Sequence, residues 1–183
     1  SVAERRRLVV VAPAPLHRQT ALVRRGEPAC TLVLPASGEY TAAGQRVRRA
    51  VADLTGVMLP VVDDSTGLAA GTGAKPGHRI LLGNRSTHRT IEELYNRFYT
   101  LLDLRFPGPG GWEVRSLHSP FGDRANVLFL GGSDAAGVDE AAAVFVAEVE
   151  SAAALRDAGA AARADLEVGH LLRVRPGPGL ELP

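Results

Sequence analysis

Five histidines, His17, His78, His88, His118 and His170, are the side chains of this chain best suited to acid/base or metal chemistry. No two of them stand at the i, i+4 spacing that turns a pair toward one zinc ion, and none sits in an HExxH context. They read as loop or surface residues, and no metal site is expected. His88 differs because Arg85 and Arg89 flank it at the start of an expected helix, a setting that favours an anion. Nucleophilic chemistry finds no footing, since there is no GxSxG elbow. The one cysteine, Cys30, lies between Ala29 and Thr31 in an expected strand, as a buried inert thiol would. The carboxylate pairs Asp63-Asp64 and Glu92-Glu93 are sequence neighbours, whose side chains diverge, whereas glycosidase chemistry needs two facing carboxyls.

Two further constellations point to ligands. Gly131-Gly132-Ser133-Asp134-Ala135-Ala136-Gly137 runs from an apolar strand into a helix start, the way phosphate-binding turns are built, so Gly131, Gly132 and Ser133 form a candidate anion site. The run is neither GxGxxG nor a P-loop, and an acidic cap at Asp134 opposes an incoming anion. Trp112 and Tyr99 would form a sugar-stacking platform if exposed together; core packing is the plainer reading for Tyr95, and Tyr99 stands open between the two. No catalytic residue and no cofactor are expected.

The elements that must position these residues follow from hydrophobic period. Apolar runs at Leu8 to Ala12, Cys30 to Leu34, Leu59 to Asp63, Arg79 to Leu82, Trp112 to Leu117, Asn126 to Leu130 and Leu171 to Val174 read as strands. Three amphipathic helices are expected. Thr41 to Leu54 carries Ala43, Val47, Ala50 and Val51 on one face and stops at Gly56. Ser86 to Leu104 carries a stripe of Ile91, Leu94, Tyr95, Phe98, Leu101 and Leu102, and the third helix runs from a cap at Ser133 or Asp134 to about Ala153. The short connection between Trp112–Leu117 and Asn126–Leu130 makes that pair antiparallel, hence a mixed sheet. In Trp112 to Leu117, Trp112 and Val114 alternate with Glu113 and Arg115, the pattern of a strand with one face in water. The fold class is α/β: about five to six strands packed with three helices in a two- or three-layer sandwich. Residues 1–28 read as a leading strand and irregular lead-in, 29–155 as the domain, and 156–183 as a tail or linker.

With 183 residues, 45% hydrophobic, 22% charged and a net charge of +1, the chain is an ordinary globular domain. Twenty arginines against a single lysine, Lys75, offer anion-binding forks, but they are scattered among 20 acidic residues. No basic stripe with interleaved aromatics appears, so nucleic acid is not an expected partner. No apolar run approaches the ~20 residues of a membrane span. The chain starts without Met and ends Pro-Gly-Pro-Gly-Leu-Glu-Leu-Pro, so it reads as an excised piece of a longer protein.

The motif series Ala42-Ala43-Gly44, Leu54-Thr55-Gly56, Leu59-Pro60-Val61-Val62, Ile80-Leu81-Leu82-Gly83-Asn84, Gly111-Trp112-Glu113-Val114-Arg115, Asn126-Val127-Leu128-Phe129-Leu130-Gly131-Gly132 and Asp134-x-x-Gly137 resembles the N-terminal accessory domain of carbohydrate-active enzymes such as β-hexosaminidases and α-glucuronidases. The resemblance covers about Thr31 to Val149; the stretch Tyr95 to Phe106 departs from the common pattern. It implies an α/β sandwich without catalytic residues, a following catalytic domain of the same polypeptide as partner, contact with carbohydrate, and an extracellular or periplasmic setting. Two other readings stand beside it: a small phosphate- or nucleotide-binding enzyme using the Gly131 to Gly137 turn, and a free-standing carbohydrate-binding module.

Overall fold

The computed structural model describes residues 18–66, 77–158 and 165–178. The expected leading strand at Leu8 to Ala12 lies outside them, as do His17, Lys75 and most of the Ala-rich stretch near residue 160. In chain order the elements are β1 (Thr20–Arg24), β2 (Glu27–Pro28), β3 (Cys30–Leu34), α1 (Thr41–Thr55), β4 (Val61–Asp63), β5 (His78–Gly83), α2 (Arg89–Asn96), β6 (Trp112–Leu117), β7 (Val127–Gly132), α3 (Ala135–Ala158), β8 (Leu166–Val168) and β9 (Leu172–Arg175). A single 3-10 turn, Asp64–Thr66, follows β4.

Six strands form one mixed sheet in the order β4-β3-β5-β7-β6-β9. β4, β3, β5 and β7 are parallel, and β6 is antiparallel to both β7 and β9. The α/β class, the mixed sheet and the three helices are therefore as expected. Alternation along the strands separates two cores. Leu32, Leu34, Ile80, Leu82, Leu128, Leu130, Trp112 and Val114 point to the face covered by α1 and α3, meeting Val47, Val51, Val138, Ala142 and Phe145. Val33, Leu81, Val127, Phe129 and Leu117 point the other way, meeting Ile91, Leu94 and Leu102. The layers are thus two helices, a sheet, then α2 with the segment that follows it.

Both flanks belong to this body. β1 pairs with β2 across Arg25 and Gly26, both at positive φ as a two-residue hairpin turn requires, and with β8 on its other side. Leu22, Val23, Leu166 and Val168 join the larger core, and β9 completes the main sheet, so neither 18–28 nor 165–175 is a lead-in or a linker. β1 is buried over its first four residues, so the period-2 alternation that marks a half-exposed strand is missing.

The second correction concerns α2. It ends at Asn96, not near Leu104: Phe98 takes φ 61°, and the Tyr99 amide reaches back to the Leu94 carbonyl at 2.9 Å. Of the expected stripe, Ile91, Leu94 and Leu102 are buried, but Phe98 is 85% exposed and Leu101 62% exposed, and Leu104 at the expected helix end is 62% exposed as well. The reason lies on β6, where the expected wet face is buried. Glu113 is 2% exposed, and its carboxylate accepts from the Thr100 hydroxyl at 2.9 Å and meets Arg115 Nε at 2.8 Å. Arg115 also donates to the Tyr99 carbonyl at 2.8 Å. A continued helix would leave that buried carboxylate without its hydroxyl, a loss of roughly 1–3 kcal/mol or more.

Candidate functional site

In parallel sheets the place for a ligand is the carboxyl end of the strands, where neighbouring connections leave in opposite directions. Here that point lies between β3, whose other neighbour is β4, and β5. The loops around it carry Asp64, Asn84 and His88, buried to 5%, 4% and 1% exposure. This is the densest gathering of buried polar groups among the described residues.

Asp64 occupies the helix start that its flanking arginines suggested for an anion. Its carboxylate accepts the Ala36 amide at 2.9 Å and the Arg89 amide at 2.7 Å, tying the β3–α1 loop to the first turn of α2. His88 is therefore not a solvent-facing loop residue. Its Nδ1 accepts the Thr90 amide at 3.2 Å, and its Nε2 lies 3.3 Å from the Val33 carbonyl. An amide only donates and a carbonyl only accepts, so the proton sits on Nε2 and Nδ1 is bare. The ring is neutral: burial lowers its pKa, against the upward pull of the Asp64 charge. Nδ1 stands 3.7 Å from Asp64 Oδ2, too far for a hydrogen bond and with no proton to share. Both ring nitrogens are committed to backbone, so this aspartate–histidine pair caps a helix rather than activating a nucleophile. Asn84 completes the corner, its Oδ1 accepting the amides of Ser86 at 2.9 Å and Thr87 at 3.1 Å. The neighbouring carboxylate, Asp63, turns outward to Ser65, so Asp63 and Asp64 diverge at the passage from β4 into the 3-10 turn.

The glycine turn lies at the end of β7. Gly132 and Gly137 are there because backbone crosses backbone: a Cβ on Gly132 would stand 2.2 Å from the Val138 nitrogen, and one on Gly137 would stand 2.2 Å from the Gly111 carbonyl. The Pro107–Gly111 segment fills the turn. The Ser133 hydroxyl accepts the Gly108 amide at 3.1 Å, and the Ser133 amide donates to the Gly111 carbonyl at 3.2 Å. Asp134 accepts the amides of Gly110 and Gly137, each at 2.8 Å. An anion at Gly131, Gly132 and Ser133 would have to displace this segment and face the Asp134 carboxylate.

Trp112 is 8% exposed and packed in the larger core, while Tyr99 is 37% exposed on the other side of the sheet. Their joint exposure, the condition for a stacking platform, is not met. His118 and His170 meet near the mouth of β9, with Nε2 to Nδ1 at 3.1 Å and ring centroids 5.2 Å apart at 19°. Those distances describe nearly coplanar rings joined edge to edge by an N–H···N bond. His118 Nδ1, the other ring nitrogen of this pair, is buried without a partner. His78 accepts the Asn126 amide at 2.9 Å. No three potential metal ligands gather among the described residues. Cys30 is 2% exposed, and burial pushes its thiol far above the usual range, the inert behaviour expected of it.

One open groove of about 400 Å³ is lined by Arg85, Ser86, Glu92, Asp103, Leu104 and Arg105. Arg85 lies over the Tyr95 ring at 4.3 Å, and the Tyr95 hydroxyl donates to Asp103 at 3.4 Å. Burial is the largest single influence on Asp103 and raises its pKa, but the amides of Phe106 and Arg105, the Tyr95 hydroxyl and the Arg85 charge together outweigh it and hold the carboxyl low. Two arginines and two carboxylates line the groove, so its formal charges balance.

No protein-family model matches this chain, and no curated protein matches its sequence. Glu113, Thr100 and the Asp64–His88 node escaped the sequence reading. Of the node, the sequence singles out His88 alone, as an anion-favouring helix start beside Arg85 and Arg89.

Proposed function

We propose that this chain is a noncatalytic accessory domain of a larger polysaccharide-processing protein, a glycoside hydrolase or lyase, that packs against and orients a catalytic domain. The observation that carries this reading is the segment after α2. A buried hydrogen bond to Glu113 and an exposed one from Arg115 hold it in one conformation, and that conformation turns Phe98, Leu101 and Leu104 toward solvent. Ordered backbone that presents large apolar side chains suits a contact surface, because the entropy of ordering it has already been lost on folding. The commitment of Asp64, His88, Asp134 and Glu113 to structural partners is consistent with it. The link to carbohydrate comes from the motif resemblance between Thr31 and Val149 alone. The 183-residue chain is expected to release nothing from a panel of polysaccharides and chromogenic glycosides. Turnover that persists through purification and is lost on substituting a residue of this chain would sink the reading.

A further inference from the structure

β9 ends the main sheet, and among the described residues no strand pairs with its outer side. All four of its residues are exposed, the apolar Leu172 and Val174 to 50% and 41%. The Ser116 amide donates to the Leu171 carbonyl at 2.9 Å, which fixes the phase of the ladder between β6 and β9. Antiparallel partners alternate between pairs that exchange backbone hydrogen bonds and pairs that do not, so Arg173 and Arg175 turn their amides and carbonyls toward β6. Leu172 and Val174 turn theirs outward. Side chains alternate as well: Leu172 and Val174, opposite Arg115 and Glu113, lie on the α2 side of the sheet, and Arg173, opposite Val114, lies on the α3 side.

An open edge of this kind is ordinarily guarded by charge. Arg173 has the look of such a guard, but it is paired with Glu148 of α3 at 2.8 Å, so the edge carries both signs side by side. A two-fold axis through Arg173, at right angles to the sheet, sets Leu172 opposite Val174 of a second copy and Val174 opposite its Leu172. Each of those two pairs then exchanges both of its backbone hydrogen bonds. The Leu172 carbonyl also takes Arg173 Nη1 at 3.2 Å, and it keeps a second lone pair for the incoming amide. On one face the Leu172 and Val174 side chains of the two copies close into one apolar cluster. On the other, the two Arg173 side chains stand beside each other with a Glu148 carboxylate next to each, so the charges alternate across the axis. α3 leaves room for this approach. It rests on β7 and β6, so with strands about 4.8 Å apart its axis stays roughly 19 Å from its mate, beyond the roughly 8–10 Å of packed helices. β4, at the other end of the sheet, is three residues long, follows Pro60 and ends on the exposed Asp63.

We propose that the outer edge of β9 is the contact by which two copies of this chain associate, continuing the six-stranded sheet across a two-fold axis. The surface is the strand edge, not the segment after α2, and the proposal stands whether or not the chain belongs to a polysaccharide-processing protein. A four-residue strand makes a small contact, so association is expected at micromolar rather than nanomolar concentration.

Sedimentation of the 183-residue chain between about 5 and 500 µM should show a monomer–dimer equilibrium. Val174→Pro deletes an outward amide and leaves the bonds to β6 in place, so it should weaken the dimer at least about tenfold while the monomer keeps its circular dichroism. The charges give a second reading. Arg173→Glu and Glu148→Arg should each be monomeric alone, because each gathers only like charges at the axis; mixed in equal amounts, the two variants should form a heterodimer. A chain that stays monomeric throughout overturns the proposal. So does a dimer that Val174→Pro leaves intact, which assigns the contact to another surface. Failure of the two charge variants to combine also overturns it, leaving Arg173 and Glu148 as a pair within one chain alone.

Discussion

Replacing Asp64 by Ala should cost this domain about 2–4 kcal/mol, and the structure supplies the arithmetic. The carboxylate is 5% exposed and accepts two backbone amides, from Ala36 and Arg89. A hydrogen bond to a charged group contributes roughly 1.5–3 kcal/mol, and a buried amide left unmade costs roughly 1–3 kcal/mol. Relief of the carboxylate's own desolvation offsets part of that sum, which brings the expected loss to the stated range. Asp64→Asn should fare little better, since its amide nitrogen would face one of the two N–H donors. The control is one residue away. Asp63 is exposed and its carboxylate accepts from the Ser65 amide at the surface, so Asp63→Ala should change stability by no more than about 1 kcal/mol. Urea unfolding followed through the single tryptophan, buried Trp112, reads the difference. With a slope of roughly 2 kcal/mol/M, the Asp64→Ala midpoint should fall by about 1 M or more. A shift below about 0.3 M, or equal shifts at 63 and 64, would refute the capping assignment and reopen a chemical role for Asp64.

Three further outcomes follow from the same geometry. Burial lowers the His88 pKa, so the unfolded chain binds its proton more readily; His88 therefore contributes stability that is full above the ordinary histidine value near 6.5 and is lost as pH falls below it. His88→Asn, which keeps an acceptor for the Thr90 amide, should reduce the slope of urea midpoint against pH between about 7 and 5. Burial raises the Glu113 pKa, outweighing Arg115 and Thr100, so stability falls as pH rises from about 4.5 toward that raised value; Glu113→Gln should flatten this limb while its side-chain oxygen still accepts from Thr100, as acid titrations by circular dichroism would show. Gly132→Ala should lower stability by about 3 kcal/mol or more because its methyl meets backbone that cannot move aside. Gly56→Ala, with nothing within 4 Å but φ at 74°, should cost only about 1–2 kcal/mol, and thermal melts of the two variants side by side check the contrast.

The α/β class, the antiparallel return of β7 on β6 and the bounds of α1 were legible because each rests on local chemistry. Periodic apolar residues define Thr41 to Thr55, and Gly56 ends it in the left-handed conformation. A nine-residue connection joins β6 to β7, too short for a parallel crossover. The stripe from Ile91 to Leu102 misled because periodicity reports which residues are apolar, not which are covered. Phe98 and Leu101 fit the helical period and nonetheless face outward. β1 was missed for the opposite reason, its Thr20 to Val23 being buried on every side.

By itself, then, the amino-acid order determined the elements whose faces repeat with a fixed period and the inertness of Cys30, since both follow from neighbours a few residues away. Tertiary structure alone decided where the polar groups went. Asp64 meets α2 across 25 residues, Thr20 meets Asn126 across 106, and Glu113 redirects the chain at Thr100. A buried carboxylate must find donors wherever the fold brings them, and apolar periodicity along the chain does not report that demand.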